Sequence, residues 1–440
     1  MRKFWTSIFL VYVSITMGAC SYVRMTMGEV RLSLSPAHRQ DAEAIKQANP
    51  DECGVLMGSI VSDKSTGVMF AIVAFSEDLL NIKPADFNIL SEPGPYMLYV
   101  PRGRYRIVAF ADFNKNRVFD QNELVGRLNN PGIVAVDRGQ VISGLDFSVA
   151  GKGSNYVESP VDIQLPDTTE VVKKAINQGG AVRLDDRIFS REYGSMGLWS
   201  PAQFIHELGV NIYAPEKYDN GKIPILFVHG SGGTPRDWEY LAGNIDRTRF
   251  QLWFFFYPSG LRLETISGLL YENLSFLYKT YGFSTLYITA HSMGGLIVRS
   301  FFNRYALEGP PYSVKLFVSI STPWNGVESA QLAPEKSLFK GPPVWQDLAP
   351  ESPFLKTLYH HHLPSELNYY LFFGYRSYKV FVKKAEDGVI ALESQLYPTA
   401  QSEATKCFGF NENHASILSC KNVVEQYVQV LIAAYTKSLP

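Results

Sequence analysis

Apolar positions along the chain follow two rhythms, and the change falls near residue 151. From Gly54 to Ala150 the apolar runs are short. Val68-Met-Phe-Ala-Ile-Val-Ala-Phe75, Tyr96-Met-Leu-Tyr-Val100, Tyr105-Arg-Ile-Val-Ala-Phe110 and Ile133-Val-Ala-Val136 are examples, separated by Glu92-Pro-Gly-Pro95, Pro101-Arg-Gly-Arg104 and Asn129-Asn-Pro-Gly132. Short β-branched and aromatic runs between turn residues at even spacing predict a β-sandwich over 54–150. Residues 20–53 are polar and weakly patterned and read as a tether, and 151–170 read as a linker. Over 171–440 strand-like and helix-like stretches alternate, which predicts an α/β domain with a mainly parallel sheet flanked by helices.

The N-terminus carries a separate signal. Met1-Arg2-Lys3 precedes an apolar run from Phe4 to Met17, then Gly18-Ala19-Cys20. A basic start, a short apolar stretch and small residues before a cut site form a secretory signal over 1–19. The run is shorter than the roughly 18 residues or more that a spanning helix needs. Cys20 after small residues resembles the lipobox of bacterial lipoproteins, with Met17 where Leu is usual. That resemblance implies cleavage before Cys20, lipidation of Cys20 and anchorage in the bacterial cell envelope. Ser21 next to it implies the outer membrane over the inner. An ordinary signal peptide or an uncleaved anchor is the plainer alternative.

Composition narrows the function. Of 440 residues, 46% are hydrophobic and 19% charged, enough apolar material for a large core and against bulk disorder. Lys+Arg 41 against Asp+Glu 42 gives a net charge of −1, without the positive footprint that nucleic-acid binding requires. Of the 4 cysteines, Cys20 is the candidate anchor. Cys407 and Cys420 bracket a short loop and, in an exported chain, are the expected disulfide. Cys53 is left without a role.

The strongest chemical signal is Ser284-Thr-Leu-Tyr-Ile-Thr-Ala-His-Ser-Met-Gly-Gly-Leu-Ile-Val-Arg-Ser300. A β-rich run meets Ser292 and a helix pattern starts at once. A serine on so sharp a turn needs small residues two positions away on either side, here Ala290 and Gly294. Ile223-Pro-Ile-Leu-Phe-Val-His-Gly-Ser-Gly-Gly-Thr-Pro235 is a second strand entering a Gly-rich loop. It lacks the Lys of a phosphate-binding loop and the spacing of a dinucleotide loop. Downstream lie Lys384-Ala-Glu-Asp-Gly-Val-Ile390 and Asn411-Glu-Asn-His-Ala-Ser-Ile417. Of the 8 histidines, only His414 follows Asp387. His360-His361-His362 reads as a solvated turn, with metal recruitment as the alternative.

These segments resemble the α/β-hydrolase superfamily, in particular bacterial lipases, over about residues 190–435. Ala-His-Ser-Met-Gly resembles their nucleophile elbow, with Ala290 in place of the first usual Gly. His229-Gly230 resembles their oxyanion loop, and Ser321-Thr-Pro-Trp-Asn-Gly326 their Thr-Pro-x-x-Gly turn. The resemblance implies a triad of Ser292, Asp387 and His414, with Glu386 the alternative acid. It implies oxyanion donors at the N–H groups of Ser231 and Met293, and a cap or lid over about 327–366, whose apolar residues serve equally well as core. Pro101 to Phe110 is weakly similar to a strand of carboxypeptidase-regulatory-like sandwiches. The implied activity is hydrolysis of a carboxylic ester without a catalytic cofactor. The aromatic stretch Trp253-Phe-Phe-Phe-Tyr257 and Trp324 point to lipid-like or apolar substrates. The alternatives are an acyltransferase or thioesterase with the same triad, and a non-catalytic envelope assembly lipoprotein.

One further motif stands apart. Asp112, Asn114, Asn116, Asp120 and Glu123 fall at positions one, three, five, nine and twelve of a calcium loop. Arg117 occupies position six in place of Gly, and a strand precedes the loop, so an Asx-rich surface turn is the alternative to a structural calcium ion.

Overall fold

The structure is a computed structural model that describes residues 52–61, 68–77, 84–90, 93–113, 118–119, 123–128, 132–149, 163–164, 182–332, 341–377 and 385–438. Cys20, the signal and nearly all of the tether and linker lie outside these residues.

The N-terminal part is built from β1 (Cys53–Val61), β2 (Met69–Ser76), β3 (Pro84–Leu90), β4 (Pro95–Pro101) and β5 (Gly103–Asp112). Shorter strands follow: β6 (Val118–Phe119), β7 (Leu124–Arg127), β8 (Val134–Val136), β9 (Val141–Ile142), β10 (Phe147–Ser148) and β11 (Ile163–Gln164). One sheet runs β10-β1-β4 with β9 on β1. Another runs β3-β2-β5-β7 with β8 on β5, and β11 pairs with β6. Leu56, Leu98 and Val100 of the first sheet share a core with Ile72, Ile107 and Ala109 of the second. The period-two alternation explains β5: Val108 and Phe110 point the other way and pack with Ala71, Val73 and Phe119.

The second part carries β12 (Asn211–Tyr213), β13 (Ile223–Val228), β14 (Phe250–Phe256), β15 (Thr285–His291), β16 (Ser313–Ile320), β17 (Asn368–Gly374) and β18 (Lys406–Phe410). They form one 7-stranded sheet in the order β12-β14-β13-β15-β16-β17-β18. Only β12 runs antiparallel; every other neighbouring pair is parallel. Helices α1 (Leu263–Tyr281) and α2 (Met293–Glu308) cover one face, and α3 (Lys421–Ser438) the other. A parallel sheet covered on both faces needs strands without a polar side. Ile225, Leu226, Phe227 and Val228 are accordingly all buried, alternating between the two faces.

The aromatic stretch expected around a substrate is part of this core. Trp253, Phe254, Phe255, Phe256 and Tyr257 are buried on or just after β14, and Trp324 is buried beside Tyr369. In the segment expected as a cap or lid, Val344, Leu348, Phe354, Leu355 and Leu358 pack into the core on the α1–α2 side. Asp347 there accepts from Leu263 N (2.7 Å) and pairs with Arg262 (2.6 Å), which caps the start of α1.

The two parts share that core. Cys53, Val55, Met97 and Tyr99 pack in the same cluster as Ile205, Leu270 and Leu274, and Thr265 Oγ1 donates to Gly139 O (2.9 Å). Burying side chains such as Met97 is worth about 1.5–3 kcal/mol each.

The expected Cys407–Cys420 bridge is not formed: both cysteines are thiols. Alternation along β18 turns Cys407 to the α1–α2 face, whereas Cys420 precedes α3 and packs on the opposite face. The sheet lies between the two sulfurs. Among the described residues no helix is long and apolar enough to cross a membrane.

Candidate active site

Ser292 sits between β15 and α2 with φ 55 and ψ −131, a conformation that non-glycine residues rarely adopt. Its surroundings explain the run of small residues. A Cβ on Gly294 would collide with the carbonyl oxygens of Val228 and His229, and one on Gly295 with the Thr322 side chain. A Cβ on Gly230 would lie 2.8 Å from that of Ser292. The glycines thus let α2, the loop after β13 and the turn after β16 close around the serine. Ser292 N donates to Ile320 O (2.8 Å), which locks the turn to β16.

His414 follows β18 in a loop that is itself tied. Asn413 Oδ1 accepts from the N–H groups of Ala415 (3.0 Å) and Ser416 (2.9 Å). His414 N donates to Asp387 O (2.9 Å). Its Nε2 lies 2.9 Å from Ser292 Oγ, and its Nδ1 2.7 Å from Asp387 Oδ2. A carboxylate only accepts, so Nδ1 carries the proton and Nε2 presents a lone pair to the serine.

Asp387 is fully buried, on a turn after β17 that Gly388 (φ 95) allows. Its Oδ1 accepts from Val389 N (3.0 Å) and Ile390 N (2.8 Å). Burial alone would raise its carboxyl. The hydrogen bond and charge of His414, with the two N–H groups, outweigh burial and hold the carboxyl below its usual value. Glu386, the alternative acid, accepts from Ser377 Oγ (3.0 Å) instead.

The Gly-rich loop passes over the serine. Gly232 N donates to Ser259 Oγ (2.8 Å) and Thr234 N to Asp237 Oδ2 (2.8 Å). The N–H groups of Ser231 and Met293 have no acceptor among the described residues. Met293 also opens α2, whose aligned peptide dipoles place positive potential there. His229 organises this loop. Its Nδ1 lies 2.8 Å from Gly230 O, its ring stacks on Tyr257 at 4.1 Å, and burial lowers its pKa to about 4. Tyr257 Oη donates to His229 O (2.5 Å).

His291 precedes Ser292 at the end of β15, where strand alternation would be expected to turn its side chain away from the serine. Its Nε2 in fact lies 2.9 Å from the main-chain oxygen of His414. No sequence pattern marks that contact, because 123 residues separate the two.

The metal candidates do not meet in the described residues. Asn114, Asn116 and Asp120 of the calcium motif lie outside them. Asp112 and Glu123 are buried, and Glu123 Oε1 accepts from Phe113 N (3.0 Å). His360 and His362 are exposed, and the described residues hold no group of 3 or more His, Cys, Asp or Glu that could bind a metal ion.

A family model described as alpha/beta hydrolase of unknown function (DUF915) matches residues 262–376, a span that includes Ser292 and stops before Asp387 and His414. No curated protein matches the sequence. Among solved structures the chain is similar to the Bacillus licheniformis lipase BlEst2 in mature form. The identity is 18%, covering 50% of this chain and 97% of that one, with a TM-score of 0.39. It is also similar to the product of gene lin2722 from Listeria innocua (17% identity, 48% and 94% coverage, TM-score 0.37). A third is the metagenomic carboxyl esterase MGS0156 (15% identity, 51% and 78% coverage, TM-score 0.37). By its sheet order, by the serine turn between β15 and α2, and by the family match, the chain has the α/β-hydrolase fold.

Proposed function

We propose that the protein is a serine hydrolase of carboxylic esters. The observation that carries this reading is the unbroken relay from Ser292 through His414 to Asp387, at 2.9 and 2.7 Å, beneath a serine held at φ 55. In this reading Ser292 Oγ attacks the ester carbonyl while His414 Nε2 takes its proton. Asp387 keeps the imidazole in the Nδ1–H form and stabilises the imidazolium. The N–H groups of Ser231 and Met293 receive the negative charge that develops on the carbonyl oxygen. His414 then returns the proton to the leaving alcohol, and water, activated by the same base, releases the acid.

The preference for apolar esters now rests on different residues. The buried Trp253–Tyr257 stretch no longer supports it. Val389 and Tyr375, which are 55% and 46% exposed, lie on the segments flanking Asp387 and give the neighbourhood apolar surface. The test is labelling with a fluorophosphonate and turnover of p-nitrophenyl esters of increasing chain length. Ser292→Ala should lose both, and full activity in that variant would overturn the reading.

The same proposal extends to location. Residues 17–21 support anchorage in the bacterial envelope through a lipid on Cys20. Incorporation of labelled palmitate that Cys20→Ser abolishes is the expected result.

A further inference from the structure

We propose that His291 is a positioning residue for this hydrolase, whose Nε2–H grips the main-chain carbonyl of His414 and so sets where the base stands relative to Ser292. The inference rests on the serine-hydrolase reading for its catalytic consequence, and on geometry alone for the contact.

A carbonyl oxygen can only accept, so at 2.9 Å His291 Nε2 must carry the proton. The ring lies 4.7 Å from the His414 ring and edge-on to Trp238 at 6.4 Å. Burial first, and the neighbouring His414 second, lower the pKa of His291 to about 3. The ring therefore stays neutral and remains a donor while His414 cycles through its imidazolium.

The contact completes a set. The His414 main chain donates its N–H to Asp387 O and receives His291 at its carbonyl, while the side chain is held by Asp387 and Ser292. The grips through Asp387 reach the serine only by way of the turn after β17. The grip through His291 comes from the residue next to the nucleophile, at the end of a strand paired on both sides. One rigid strand end thus carries both the attacking oxygen and the clamp on the base. Without the clamp, the His414 loop keeps its own ties through Asn413 and its hold on Asp387, but no hydrogen bond among the described residues joins its backbone to the strand end that carries the serine.

His291→Phe removes the donor and keeps a ring, whereas His291→Gln places an amide N–H near the lost Nε2. A misplacement of about 1 Å costs on the order of 100-fold in rate, so kcat of the Phe variant should fall about 10- to 100-fold with KM unchanged. The Gln variant should recover most of the loss. Amide hydrogen exchange over 412–416 should quicken in the Phe variant and return in the Gln variant. His291→Met serves as the donor-free variant if the Phe protein does not fold. Wild-type kcat and exchange without the donor, a Gln variant as slow as the Phe one, or a loss confined to KM would each overturn the inference. Ser292→Ala runs in the same assay. If it equals wild type, the hydrolase reading fails, and the exchange comparison still decides whether His291 holds the loop.

Discussion

Replacing Asp387 with Asn tests the relay by changing one atom. In the native site Oδ1 is committed to the N–H groups of Val389 and Ile390, and Oδ2 faces His414 Nδ1. The amide oxygen of an asparagine must stay with the two N–H groups. The opposite orientation would set donors against donors and leave buried groups unpaired, at about 1–3 kcal/mol for each. The NH2 group then faces Nδ1, which can only accept from it. The imidazole proton moves to Nε2, and the serine meets an N–H where it needs a lone pair. A wrong tautomer in a triad of this kind lowers kcat by about 10⁴-fold, or about 5.4 kcal/mol at about 1.36 kcal/mol per factor of ten. KM should stay near the wild-type value, because the substrate touches neither atom. The assay is steady-state hydrolysis of p-nitrophenyl butyrate with thermal melts of the same samples. A kcat within tenfold of wild type in a folded Asp387→Asn protein would refute the assignment of Asp387 as the partner of His414.

Other expectations follow from the same geometry. Ser292→Gly should abolish turnover yet raise the melting temperature, since a non-glycine residue at this φ and ψ stores about 1–3 kcal/mol of strain; calorimetry reads it, and a lower melting temperature would count against strain. Arg299 is buried against Glu403 (2.7 Å) and donates to His361 O (2.6 Å), so Arg299→Ala should lose about 3–5 kcal/mol in denaturant titration. Acidification should destabilise the fold. His229 and His291 have pKa values lowered to about 4 and 3, so below about pH 6.5 the unfolded chain binds protons that the native one refuses. Asp387, whose carboxyl is lowered, adds a loss in the same direction below about pH 4. Melting temperature should therefore fall as pH drops from about 6.5 to 4, less steeply in His291→Gln. Deleting residues 1–150 should yield insoluble protein, because it bares the core surface that Val55, Met97 and Tyr99 cover.

Legibility in the sequence tracked the range of the interaction. The elbow at Ser292 was readable because strand, turn and helix are local, and a turn this tight dictates small neighbours such as Gly294. Asp387 and His414 can be picked out by chain order, since only one histidine follows Asp387, and the structure sets the two side chains 2.7 Å apart. What failed was contact across the sheet. The pairing of Cys407 with Cys420 looked natural on a line, but alternation on β18 sends the two to opposite faces. Trp253–Tyr257 looked like a substrate wall because the sequence does not tell a doubly covered strand from a lined pocket. The contact of His291 is not legible because its partner is a backbone oxygen, which has no residue type to recognise.

The cysteines bear on how such a chain matures. Cys407 and Cys420 are thiols on opposite faces of the sheet, so reaching this fold does not wait for an oxidant to join them. A chain released into an oxidising compartment needs no isomerase to pair these two, and a form lacking residues 1–19 should fold equally well in a reducing host cytoplasm. Titration with a thiol reagent after unfolding should return the same count from both preparations.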